Sequence, residues 1–72
     1  MKITIADHDH LYGAIEDTDQ GIVLTGDVVF LQRIVDANRT RYLRGLWRSL
    51  TDAELVRSLP ERLGARYQIA LG

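Results

Sequence analysis

A chain of 72 residues with no cysteine has only its apolar side chains to hold it folded. A chain of this size buries about 60% of the surface its unfolded form exposes, so its core is thin. Disulfide staples, thiol nucleophiles and cysteine-bound zinc are excluded. The length allows one domain, residues 1–72, and no more. Apolar residues make up 46% and charged residues 26%, the balance of a folded protein rather than of a disordered tail. The opening Met1-Lys2-Ile3-Thr4-Ile5-Ala6 runs into Asp7 and Asp9 without a long apolar stretch, so it does not read as a targeting signal. No run approaches the ~18 apolar residues of a membrane span. The expectation is a soluble cytoplasmic protein with no membrane partner.

The net charge of −1 excludes the global attraction to nucleic acid or anionic lipid of a strongly basic chain. The charge is unevenly placed. Residues 1–36 carry seven acids and two bases, a net of −5. Residues 37–72 carry seven arginines and three acids, a net of +4. Two readings follow: acidic turns pair with the basic half of the same molecule, or copies meet head to tail, acidic face to basic face. The first is the expectation, since such pairing follows from folding alone.

Alternation gives the strands. Ile3 and Ile5 alternate with Lys2 and Thr4, and Leu11, Gly13 and Ile15 alternate with Tyr12, Ala14 and Glu16. Asp17-Thr18-Asp19-Gln20-Gly21 is a turn, and the consecutive apolar residues Ile22-Val23-Leu24 before Thr25 predict a central third strand. Asp27 is a helix N-cap. After it Phe30, Leu31, Ile34, Val35 and Tyr42 share one helical stripe, with Asn38 inside it. Asp36 has Arg33 and Arg39 at three-residue spacing, an expected ion-pair face. This helix is predicted to fade between Arg41 and Gly45.

Thr51-Asp52-Ala53-Glu54 is a capping box, and Leu50 and Leu55 flank it at hydrophobic-staple spacing. The second helix is predicted from Asp52 to near Leu59, where Pro60 restricts the residue before it. One more turn, Pro60-Glu61-Arg62-Leu63, closes at Gly64. Ala65, Tyr67, Ile69 and Leu71 then alternate as a strand joining the N-terminal sheet. The fold class is α+β, in the order βββααβ.

Candidate chemistry is sparse. In extended chain His8 and His10 point the same way, as two metal ligands would, but zinc needs three or four ligands and a polar turn explains the segment. The turn beginning at Asp17 fails the calcium-loop pattern, with Gly21 and Val28 where ligands belong. Ser49 and Ser58 sit near helix caps, and no nucleophile elbow or phosphate loop is present. The expectation is a protein that is not an enzyme and needs no metal or cofactor.

Two sets of residues point to binding. Arg39, Arg41, Arg44 and Arg48, with Tyr42 and Trp47 interleaved, could hold phosphate and stack on unpaired bases. Leu43, Leu46, Trp47 and Leu50 recur at i, i+3, i+4 and i+7 in what should be a connection. Either they close the bottom of the core or they are a docking patch. Trp beside Arg is the composition of binding hot spots. The favoured partner-binding set is Leu43, Arg44, Leu46, Trp47 and Arg48, with Trp47 as anchor. The alternative sets are the four arginines for nucleic acid, and Asp7, Asp9, Glu16, Asp17 and Asp19 as a phosphate mimic that inhibits a host enzyme.

The segment Thr25-Gly26-Asp27 through Asp36-Ala37-Asn38-Arg39, with Thr51-Asp52-Ala53-Glu54-Leu55 and Ser58-Leu59-Pro60-Glu61-Arg62-Leu63-Gly64, resembles small cysteine-free, arginine-rich proteins of bacteriophages and prophages of GC-rich bacteria. The resemblance covers residues 25–66 and rests on capping and turn motifs. It implies a phage accessory protein, a virion or assembly component or an inhibitor of a host protein, acting by contact with another protein or with its own copies. It assigns no role to any single residue.

Overall fold

The structure, a computed structural model, describes residues 1–72. The elements run β1 (Lys2–Asp7), β2 (His10–Thr18), β3 (Gly21–Gly26), α1 (Val28–Asn38), β4 (Thr40–Leu43), β5 (Leu46–Ser49), α2 (Asp52–Leu63) and β6 (Gln68–Leu71). The class is α+β. The order has two strands more than the sequence suggested, because the segment after Asn38 is a hairpin and not a fading helix. Four antiparallel strands form the main sheet in the order β3-β2-β1-β6, and β4 and β5 form a sheet of their own.

Both helices lie on one face of the main sheet. That face receives Ile3, Ile5 and Ile15, all fully buried, because residues two apart on a strand share a side. The helices answer with Leu31 and Val35 from α1 and Leu55, Val56, Leu59 and Leu63 from α2. The other sheet face carries Lys2, Thr4, Glu16 and Thr25 in the opposite alternation. The consecutive apolar run of β3 does not mark a central strand. β3 is an edge, with Ile22 and Leu24 packed on the core and Val23 left exposed.

Two glycines let the sheet close at one end. Gly13 and Gly26 are paired across β2 and β3, both at positive φ, and a Cβ on Gly13 would overlap the Thr25 carbonyl. The register of β1 against β2 shifts beside Ile5, leaving Tyr12 as the extra residue of a bulge. Tyr12 stacks on Phe30 at 4.0 Å and meets Tyr67 edge-on at 5.8 Å.

The caps are those the sequence predicts. Asp27 Oδ1 accepts from Phe30 N–H at 3.1 Å. Thr51 and Glu54 make the full capping box, with bonds of 3.0 and 3.2 Å. Leu50 and Leu55 are both buried. Two local expectations are corrected, the break at Pro60 and the start of the last strand. Pro60 does not break α2, which is continuous to Leu63. Its missing N–H forfeits one helical bond, while Leu59 and Leu63 on either side are both buried in the core. Gly64 closes the helix in right-handed geometry, φ −62°, and a Cβ there would stand 2.7 Å from the Pro60 carbonyl oxygen. The last strand begins at Gln68, with residues 65–67 in the turn before it.

Candidate functional site: the β4–β5 arm

The segment after α1 leaves the body as a two-stranded arm. Asn38 ends the helix by turning its Nδ2 back to Ile34 O at 2.7 Å, and its Oδ1 accepts from Arg62 Nη1 at 3.0 Å. The β-branched Thr40 then opens an extended run. At the tip Arg44 and Gly45 have φ of 52° and 84°. A two-residue loop with both residues left-handed is the turn that matches the twist of antiparallel strands. α1 has already ended at Asn38 and Tyr42 lies in extended β4, so Tyr42 leaves the α1 stripe that its spacing suggested.

The register pairs Thr40 with Ser49, Arg41 with Arg48, Tyr42 with Trp47 and Leu43 with Leu46. Directly opposed residues share a face. One face therefore holds Thr40, Tyr42, Trp47 and Ser49, with the two aromatic centroids 5.1 Å apart. The other holds Arg41, Leu43, Leu46 and Arg48. All eight strand residues are exposed. Trp47 is 72% exposed, Leu46 71%, Tyr42 57% and Leu43 49%.

The arm rises from a firm base. Leu50 N–H donates to Arg39 O at 2.7 Å, and Leu50 is 6% exposed. Arg39 Nη1 donates to Leu50 O at 3.2 Å and to Asp52 Oδ1 at 2.8 Å. Arg48 Nη2 donates to Glu54 Oε2 at 2.6 Å. Glu54 is held below the usual carboxylate range, first by the Thr51 backbone N–H, then by the Thr51 hydroxyl and by Arg48.

The five residues of the favoured binding set, Leu43, Arg44, Leu46, Trp47 and Arg48, all lie on this arm, and its exposure places Trp47 outside the core. Leu50 separates from them and joins the core. The four-arginine cluster is split: Arg39 is taken up by Asp52 at the base, Arg41 and Arg48 share a face, and Arg44 sits at the tip. Arg39 does not pair with Asp36, whose carboxylate accepts from Gln32 instead, at 2.9 Å. Sequence reasoning missed Tyr42 as an arm residue. The signal was Arg44-Gly45 between alternating Thr40/Tyr42 and Leu46/Arg48.

The acidic set is dispersed. Asp7 and Asp9 lie at the β1–β2 turn, Asp17 and Asp19 at the β2–β3 turn, and Glu16 on the open sheet face. Asp17 pairs with the N-terminal amine at 3.0 Å. No group of three or more His, Asp or Glu side chains is placed to hold a metal ion, His8 and His10 included.

The expected pairing between the two halves of the chain is corrected. Met1–Asp17 and His8–Asp7 stay within residues 1–36, and Arg39–Asp52 and Arg48–Glu54 within residues 37–72. Asp52 and Glu54, in the first turn of α2, lie beside the arm and take up Arg39 at its base and Arg48 on β5. No helix is long and apolar enough to cross a membrane. No protein-family model, curated protein or solved structure matches this chain.

Proposed function

We propose that this chain is a non-enzymatic protein-binding module and that the β4–β5 arm is its contact element. One observation carries the reading: an arm of eight exposed strand residues presents two aromatics and two leucines to solvent, with no third strand beside it and the Arg48–Glu54 ion pair tying it to α2. A lone two-stranded hairpin is marginal in water and gains stability when a further surface covers it. Exposed Trp, Tyr and Arg together are the residues that carry binding energy at protein interfaces. Trp47 is the anchor, Tyr42 supports its ring, and Leu43, Leu46, Arg44 and Arg48 surround them. The setting in a phage particle, its assembly, or inhibition of a host protein rests on the sequence resemblance alone.

The test is affinity capture with the wild type and with Trp47→Ala, each checked by circular dichroism and thermal melting. The expected result is a folded Trp47→Ala protein, melting within a few degrees of the wild type, that loses the captured protein. A Trp47→Ala protein that unfolds, or that captures as well as the wild type, ends the assignment.

A second reading is binding of nucleic acid through Arg41, Arg44 and Arg48. The like-charged pair Arg41–Arg48 favours it, since such placement costs stability that an anionic ligand would return. Against it stand the net charge of −1 and the two carboxylates, Asp52 and Glu54, at the arm's base. Binding to single-stranded oligonucleotides that weakens steeply with salt would favour this reading, and no binding at low salt would remove it.

A further inference from the structure

We infer that the protein seated on the arm is a second copy of this chain, joined head to tail: the arm of one molecule enters a cleft at the far end of the next. The inference rests on the reading of the arm as a protein-docking element and names its partner.

The two surfaces lie at opposite ends of the molecule. α1 starts beside the β1–β2 turn, where Asp27 N–H donates to Tyr12 O at 2.8 Å, and delivers the chain to the arm. α2 starts at the arm's base and runs back for 12 residues, about 18 Å at 1.5 Å per residue. Where it ends, residues 64–68 face Asp7 and His8 across a cleft of about 260 Å³. A molecule therefore cannot reach its own cleft with its own arm.

The chemistry of the two ends is complementary. The arm brings Arg44 at its tip, Arg41 on one face, and the indole of Trp47, none of them engaged in an ion pair. The cleft brings the Asp7 carboxylate, 3.7 Å from His8 Nε2, and the exposed Asp9 stands on the same turn. It also brings the half-buried ring of Tyr67 and the guanidinium of Arg66, which has no carboxylate partner. The Arg44 fork meets Asp7, and the Trp47 ring lies against Tyr67 with Arg66 over its face. The cleft has room for about one such aromatic side chain. A contact made from two different patches is heterologous, and repeats of it close into a ring or run on as a filament.

A mixing experiment separates this from every other use of the arm. Trp47→Ala disables the arm and leaves the cleft, and Asp7→Lys disables the cleft and leaves the arm. Both are checked for folding by circular dichroism, with Arg44→Asp as a second arm variant. In sedimentation velocity the wild type is expected to exceed one chain, 8.2 kDa, increasingly so with concentration and less so at high salt. Each variant alone is expected to be monomeric, and their equimolar mixture to give a one-to-one heterodimer, since one intact arm then meets one intact cleft. A wild type that stays monomeric at every concentration overturns the inference. So does a mixture that fails to pair, or a large species that carries 260 nm absorbance and is lost on nuclease treatment. If the wild type is monomeric while Trp47→Ala still loses a captured protein, the docking arm stands and only its partner is wrong.

Discussion

Arg41 and Arg48 stand directly opposite one another across the arm, and Glu54 neutralises only Arg48. Folding alone gives no reason to place two guanidiniums there. Like charges at opposed positions are destabilising by about 0.2–1 kcal/mol. Arg41→Thr is therefore expected to raise the melting temperature by a few degrees. The same variant is expected to weaken association at low salt. A lower melting temperature would show that the Arg41 stem packs on something.

Trp47 is the only tryptophan, so it reports on the arm without labels. Dilute protein is expected to fluoresce as a solvated indole, readily quenched by acrylamide. Emission shifts to the blue and quenching falls once the arm is covered. A blue, protected signal at the lowest concentrations would mean that the arm folds onto the body of its own molecule.

The arm tip has a residue chosen against its own stability. Arg44 sits at φ 52°, which asparagine adopts far more readily than arginine. Arg44→Asn is expected to slow amide exchange across β4 and β5, while removing a cation from the contact. Faster exchange would count against the two-residue turn.

Pro60 costs α2 a backbone bond, because it offers no N–H to Val56 O. Pro60→Ala restores that donor, offset in part by the greater freedom of the unfolded chain. The expected net gain is about 1–2 kcal/mol, or several degrees in melting temperature. A melting temperature at or below the wild type would mean that the proline ring itself contributes to packing.

Glu54 sets an acid limit for the arm's base. Its carboxyl is held low in the folded state by Thr51 and Arg48. A folded-state value below the unfolded one gives stability that is present above the unfolded value and lost as pH falls through the folded one. Glu54→Gln is expected to flatten the loss of melting temperature on acidification across the carboxylate range. An unchanged acid profile would place the sensitivity on another carboxylate.

Much of the body was legible because its signals are local. The Thr51–Glu54 capping box, the Asp27 cap and the alternation of Ile3, Ile5 and Ile15 each depend on a few neighbouring residues. The site was half legible. Leu43, Leu46 and Trp47 stood out as apolar groups in a connection, but their spacing also fits a helix, and Tyr42 extended the α1 stripe. Period alone cannot separate these, and Arg44-Gly45 is a weaker turn signal than Asn-Gly. The edge position of β3 and the pairing choices of Arg39 depend on contacts far apart in the chain.

The pairing of β6 with β1 also governs when this molecule can fold. Antiparallel partners of β1 are β2, made at once, and β6, the last of the eight elements to be made, with Gly72 N–H reaching Lys2 O at 2.8 Å. On the ribosome the first strand waits, one edge bare, until β6 has emerged. The arm, a short-range hairpin, can close long before. A nascent chain would thus display its sticky element before its core is sealed, and crowded synthesis would let unfinished copies meet.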